Sequence, residues 1–443
     1  MRRKLKQIVM RRKLPDILMK RKLPYILLFI MLGWHTILLA QQRFPKPDFE
    51  SGYDYPEHQY PAPRAVAWEY IDVAVLVLAM SLAAYFALKK RSRTGLIWLT
   101  VFSLAYFGFF REGCVCAIGS VQNVALTLFN TSYAIPLTVL LFFILPLIFA
   151  LFYGRVFCSG VCPLGAIQEL TALFPVKVPQ KLETALSVLP YIYLGLAILF
   201  AATNSTFIIC RYDPFVGIFR LDAPYTMIIF GVLLLLAGLF VSRPYCRFLC
   251  PYGVVLNWFS HFSAKHVTIT PAECINCRLC ENSCPYNAIL PSNITDKPEP
   301  RKSERSRFAL YLILIPVFMV AGWFLTEKTH QHLASVNPVV SLAREMRSEQ
   351  LTGVPATTME VLKFKETGRN LDELYHEEAV ITERFRKGSR WMGLFFGTAL
   401  GVALFASTRR EERPDYVPDR GKCVSCARCF EFCPVTKNEN TTT

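Results

Sequence analysis

The sequence predicts an all-α polytopic membrane protein with about eight transmembrane helices, and three observations carry that prediction. Of 443 residues, 53% are hydrophobic and only 19% charged, less charge than a soluble chain of this length carries. Apolar stretches long enough to cross a bilayer recur along it. The basic residues, which bring the formal net charge to +16, crowd the ends of those stretches. Charge placed in this way orients helices in a membrane, and no nucleic-acid partner is needed to explain it.

The apolar stretches fall near residues 24–41, 68–88, 95–110, 134–153, 185–202, 224–241, 308–326 and 390–407. An even number puts both termini on one side. The connections on that side hold 33 Lys and Arg against 16 on the other, so both termini are expected in the cytoplasm and the chain in the inner membrane as a multi-pass protein. Residues 1–23 form a basic N-terminus that repeats Arg-Arg-Lys-Leu, and 24–94 supply two N-terminal spans with an outer loop. The first apolar run, ending Ala40-Gln41-Gln42, has the length of an anchor, with a cleaved signal peptide as the alternative. Residues 95–260 read as a duplicated four-helix redox core, 261–307 and 408–443 as two cysteine-motif segments, and 308–407 as a hairpin of two spans with a charged helical cap outside.

The strongest chemical signal is Cys274-x2-Cys277-x2-Cys280-x3-Cys284-Pro285, which recurs as Cys423, Cys426, Cys429, Cys433 and Pro434. This spacing wraps thiolates around a cubane, whereas a structural zinc site uses two C-x2-C pairs farther apart. Two [4Fe-4S] clusters in a small cytoplasmic ferredoxin-like module follow. In two-cluster ferredoxins the fourth Cys of each run serves the other cluster. Crossed ligation is therefore expected, with Cys274, Cys277, Cys280 and Cys433 on one cluster and Cys423, Cys426, Cys429 and Cys284 on the other. Two sites in plain sequence order would use the same eight residues. The out-and-back hairpin between the motifs returns the second to the face of the first.

A second signal is a pair of C-x3-C-P motifs, Cys158-x3-Cys162-Pro163 and Cys246-x3-Cys250-Pro251, each at the cytoplasmic end of an apolar span. Their equivalent placement argues that the four spans between 95 and 241 duplicate a two-helix unit. The four thiols have three readings: a further Fe-S centre, a redox-active disulfide, or tight helix caps before Pro and Gly. On the outer side Cys114, Cys116 and Cys210 stand at corresponding points of the repeat, before amphipathic stretches starting at Ala117 and Tyr212 that are candidates to re-enter the membrane. They read equally as redox thiols completing a route for electrons, or as one disulfide with a spare Cys. Arg111, Glu112, Arg211, Asp213 and Arg220 put charge at that membrane edge. His35 is the one clear intramembrane His, with His330 and His332 outside, so a bis-His haem is not expected. The segment at Thr352 only faintly resembles a covalent flavin attachment sequence and is discounted.

With these motifs in hand, the chain resembles the NosR/NapH-type membrane polyferredoxins, through the paired C-x3-C-P motifs and the ferredoxin motifs at 274–285 and 423–434. The resemblance covers roughly 95–290 and the last 25 residues. It implies a membrane-bound electron-transfer protein that takes electrons from quinol or a cytoplasmic donor towards an extracytoplasmic reductase or flavin carrier. No large flavin-binding domain precedes the helices, so any flavin is expected on a separate partner. No P-loop, Rossmann or nucleophile motif suggests bond-making catalysis, so the chain is expected as the electron-transfer component of an oxidoreductase system. The alternative reading is an accessory factor that handles copper or matures a respiratory reductase or oxidase. A redox sensor ranks last, as no output domain is evident.

Overall fold

The structure is a computed structural model that describes residues 65–113, 116–269, 274–275, 277–292, 301–353, 358–406, 413 and 415–434. The expected first span at 24–41, with His35, lies outside the described residues, as does Cys114.

Two helices open the described chain. Helix α1 (Val66–Ala84) runs on through a π-type turn, Tyr85–Lys89. Helix α2 (Arg93–Ser103) starts at Ser92, whose hydroxyl accepts the Gly95 N–H at 3.2 Å, and ends in a second π-type turn, Leu104–Phe110. A short apolar helix, α3 (Ala117–Phe129), is buried against the helices that follow.

Next the same order of elements occurs twice. An apolar helix α4 (Leu137–Tyr153) leads through Gly154 into a five-residue helix α5 (Val156–Gly160), then α6 (Pro163–Thr171). Helices α7 (Gln180–Leu186), α8 (Leu189–Ala202), α9 (Ile208–Tyr212) and α10 (Pro214–Arg220) intervene. Then α11 (Tyr225–Phe240), the five-residue α12 (Pro244–Phe248) and α13 (Pro251–His261) repeat the pattern. Both α6 and α13 begin with Pro at their first position, where the missing N–H has no helical partner to lose. Cys162 and Cys250 are thereby fixed as N-cap residues. One continuous core joins these helices to the long helix near the C-terminus.

After the first ferredoxin-type motif, with α14 (Leu279–Ser283) and strand β1 (Ile289–Leu290), comes a helical hairpin. It comprises α15 (Arg301–Glu327), the cap helices α16 (His330–Ala334), α17 (Pro338–Thr352) and α18 (Met359–Thr367), and α19 (Leu371–Ala406). Helices α15 and α19 lie antiparallel with their backbones in close approach. A Cβ on Gly393 would meet the Gly322 carbonyl, and one on Gly397 would meet that of Phe318. The cap has a small core of its own around Ala343, Met346, Val361, Phe364 and Leu374. Strand β2 (Val417–Pro418) and α20 (Arg428–Glu431) complete the second motif.

The fold is mostly helical, as a membrane protein's. Of the expected eight spans, three helices among the described residues are long and apolar enough to cross a membrane: Val66–Lys89, Arg93–Phe110 and Lys181–Ala202. Helices α10 and α11, bent by 109° at their junction, make a fourth if taken as one broken span. The stretches at 134–153 and 308–326 are shorter apolar helices, Leu137–Tyr153 and Leu312–Glu327. At 390–407 the apolar run is the end of α19, a 36-residue rod whose charged first half belongs to the cap. The physical reason is that the C-x3-C-P turns break continuous helix into pieces, and the charged first half of α19 continues the apolar helix into the cap.

Candidate redox sites

The two ferredoxin-type motifs form one module. Strands β1 and β2 pair antiparallel with Ile289 opposite Pro418 and Leu290 opposite Val417, and α14 packs on α20. Each motif uses the same local device. After the second Cys, the next residue (Arg278 at φ 60°, Ala427 at φ 60°) turns left-handed and caps the single helical turn that carries the third Cys. A strained φ at a non-glycine residue persists only where surrounding structure holds it.

Two cavities open in this module. One is lined by Cys274, Cys277, Cys280 and Cys433, with Ile269, Tyr416 and Pro434. The other is lined by Cys284, Cys423, Cys426 and Cys429, with Tyr286, Ala288 and Arg428. Each thus takes three cysteines from one motif and the fourth from the other. In each cavity the four cysteines line a common space. Backbone N–H groups of Tyr286 and Ala288 point at the Cys284 sulfur and that of Ser425 at Cys423. Four thiols with amide donors on the sulfurs are a donor set that fits a cubane cluster. Burial pushes the Cys423 thiol up to about 12 and Cys280 up to about 11, and raises Cys284.

The C-x3-C-P thiols gather beside the second cavity. Cys158, Cys162, Cys246 and Cys250 lie within electrostatic range of one another, and Cys158 packs in the apolar cluster that holds Cys284, Cys423 and Cys426. The two halves interlock. Gly165 of the first lies against Arg243 and Cys246 of the second, while Gly253 of the second lies against Arg155 of the first.

Towards the other side, Cys116 is the N-cap of α3 and Cys210 sits in α9 against Gly119; the two thiols lie within range of each other and of Asp213. Asp213 caps α10 by accepting the N–H of Phe215 at 2.9 Å, and receives the Tyr245 hydroxyl at 3.1 Å. Arg111 pairs at 2.8 Å with Asp72 of α1, the Glu112 carbonyl accepts from Arg220 at 3.4 Å, and Arg211 stacks on Tyr212. His330 and His332 lie in α16, and Thr352 ends α17.

Sequence reasoning missed Asp72, Gln168 and Glu169. Gln168 donates to Cys246 Sγ at 3.3 Å. Glu169 is 2% exposed and receives Arg243 at 3.0 Å, Arg428 at 2.6 Å, the Tyr286 hydroxyl at 3.1 Å, and Arg93. For Asp72 and Glu169 the available signal was a charged residue inside an apolar helix, which by default marks function; Gln168 carried no such signal.

A 4Fe-4S binding domain family matches twice, over residues 135–181 and 223–270, each match enclosing one C-x3-C-P motif. A second 4Fe-4S binding domain family matches residues 267–290, the first ferredoxin-type motif. Over 220 residues the chain is 29% identical to the regulatory protein NosR of Stutzerimonas stutzeri (46% of this chain, 30% of NosR). Over 154 residues it is 33% identical to protein NirI of Paracoccus denitrificans (32% of this chain, 23% of NirI). These matches support the likeness to the NosR/NapH-type polyferredoxins that the motifs carry. The 4Fe-4S matches and these relatives support an iron–sulfur electron-transfer role, and the apolar helices support a place in a membrane. The chain is also 27% identical over 204 residues to an uncharacterised protein of Methanocaldococcus jannaschii, covering 82% of it and 43% of this chain. It covers less than a third of NosR and NirI. No solved structure matches it.

Proposed function

We propose that the protein relays electrons between a quinol or cytoplasmic donor and an extracytoplasmic reductase or flavin carrier. It does so from the inner membrane as a multi-pass chain of about eight spans, with both termini in the cytoplasm. In this reading Cys274, Cys277, Cys280 and Cys433 hold one [4Fe-4S] cluster, and Cys284, Cys423, Cys426 and Cys429 hold the other. When bound, these groups supply one-electron carriers; the chain supplies thiolates, amide donors and a dry enclosure that keep donor and acceptor apart.

The observation that carries the reading is the lining of the two cavities, three cysteines from one motif and one from the other in each. The C-x3-C-P thiols adjoin the second cavity through Cys158 and extend the path into the helical core as a third redox station. The duplicated core of 95–260 would then hold a thiol group between its two halves, with Cys116 and Cys210 towards its far side. The excess of basic residues on the connections that flank the ferredoxin motifs supports the orientation.

Iron and acid-labile sulfide per chain, with EPR, on protein purified without oxygen in detergent test this. About eight irons, two clusters of four, are expected. A count towards ten or twelve would assign a further centre to the C-x3-C-P thiols. A count well below eight would overturn the two-cluster reading.

A further inference from the structure

The carboxylate of Glu169 joins the C-x3-C-P segments to the segments that line the second cavity. It stands on α6, the helix that Cys162 caps, and is buried. Its Oε1 accepts from Arg428 at 2.6 Å and from Arg93; its Oε2 accepts from Arg243 Nε at 3.0 Å and the Tyr286 hydroxyl at 3.1 Å. Each donor leads on to a cysteine segment. Arg243 also donates to the carbonyls of Cys158 and, at 3.1 Å, of Ser159. Arg93 donates at 2.9 Å to the Cys426 carbonyl. Arg428 lies between Cys426 and Cys429 in the chain, and Tyr286 follows Cys284 by two residues.

Among the described residues the charges at this point do not balance. One carboxylate faces three guanidinium groups, and all four side chains are at most 10% exposed. A surplus of buried positive charge is strongly unfavourable unless negative charge lies nearby. A metal cluster held by four thiolates carries such charge, and its potential responds to the charges and hydrogen bonds around it. The device exists in one half of the repeat only. When Cys158 is set on Cys246, the position matching Glu169 is Asn257, an uncharged residue whose buried Oδ1 has no hydrogen-bond partner.

We propose that Glu169 is a positioning residue that ties the C-x3-C-P thiol group to the site of Cys284, Cys423, Cys426 and Cys429 and lowers the reduction potential of the cluster bound there. This rests on the proposed two-cluster reading. The negative carboxylate opposes the arrival of an electron, and the three arginines favour it.

EPR-monitored redox titration of the full chain in detergent, with iron analysis, tests the assignment. Glu169→Gln is expected to shift the one-electron equilibrium of that cluster at least tenfold towards the reduced form, ~59 mV upward. Arg93→Gln is expected to shift it downward, and Glu169→Asp to restore most of the wild-type value. The cluster of Cys274, Cys277, Cys280 and Cys433 should hold its potential throughout. If iron is retained and the potential does not move, or if Glu169→Gln and Arg93→Gln move it in the same direction, the assignment is wrong. Should Glu169→Gln lose its iron, the direction seen with Arg93→Gln decides alone. A wild-type protein without a cluster dependent on Cys284 and Cys423 would overturn the two-cluster reading itself, and this inference with it.

Discussion

Gln168 donates from Nε2 to the sulfur of Cys246 at 3.3 Å and accepts the backbone N–H of Tyr245 at its Oε1 at 2.9 Å. One side chain of the first C-x3-C-P half therefore grips the second half at its own C-x3-C turn. The same Nε2 reaches the Leu164 carbonyl at 2.8 Å, so the amide is fully engaged. Gln168→Leu keeps the volume and removes these bonds, leaving the buried Tyr245 N–H unpaired at a cost of ~1–3 kcal/mol. Thermal unfolding in detergent should show a lower midpoint; an unchanged midpoint would show that the clamp does not hold the halves together.

The crossed cavities make a directional prediction. Cys433→Ser should damage the cluster whose other thiols are Cys274, Cys277 and Cys280, and Cys284→Ser should damage the one served by Cys423, Cys426 and Cys429. EPR of each variant reads the outcome. Loss confined to the cluster of the mutated residue's own sequence motif would mean that ligation follows sequence order.

Thiol burial sets a pH dependence. The Cys423 thiol is raised from an ordinary 9.0 to about 12 and Cys280 to about 11, so the cluster-free fold holds their protons more tightly than the unfolded chain. That contribution to stability is fully present below 9.0 and is lost as pH rises through the folded values. Because cluster insertion must displace those protons, reconstitution of apo-protein should release protons and weaken as pH falls from about 8 to about 6. Iron uptake measured across that range, with proton release by indicator dye, checks the sign.

Asp72 and Arg111 form a pair within the helical core. The carboxylate, 1% exposed, lies 2.8 Å from Arg111 Nε, and its other oxygen accepts the Tyr106 hydroxyl at 2.8 Å. Asp72→Asn leaves a guanidinium without its counter-charge and should destabilise by ~3–5 kcal/mol. Adding Arg111→Gln should recover part of that loss in a double-mutant cycle of thermal midpoints. Strict additivity of the two changes would deny the coupling.

Much of this arrangement is legible in the residues, and particular cases show where legibility stops. The runs at Cys274 and Cys423 announce their chemistry because a C-x2-C-x2-C spacing constrains only a short turn, which local backbone geometry settles. The repeated Cys-Pro junctions at Cys162 and Cys250 are readable for the same reason: Pro marks a helix start wherever it stands. Span counting is less secure. Hydropathy registers how apolar a stretch is, and it cannot see that the chain breaks at Gly154 or bends by 109° between α10 and α11. Glu169 looks in the sequence like one acid in an apolar helix, because none of the three arginines that surround it is a sequence neighbour.

By itself the sequence determined that the protein is a helical membrane chain rich in thiols at iron–sulfur spacing, since composition and short-range spacing are properties of neighbouring residues. Only the tertiary structure decided which thiols share a cavity and where the charges converge. Cys433 reaches the cavity of Cys274 because the close backbone contact of Gly322 with Gly393 brings α19 back along α15, and because β2 pairs with β1. Those contacts join residues far apart in the chain, and their geometry is set by packing and by the pairing of buried charge.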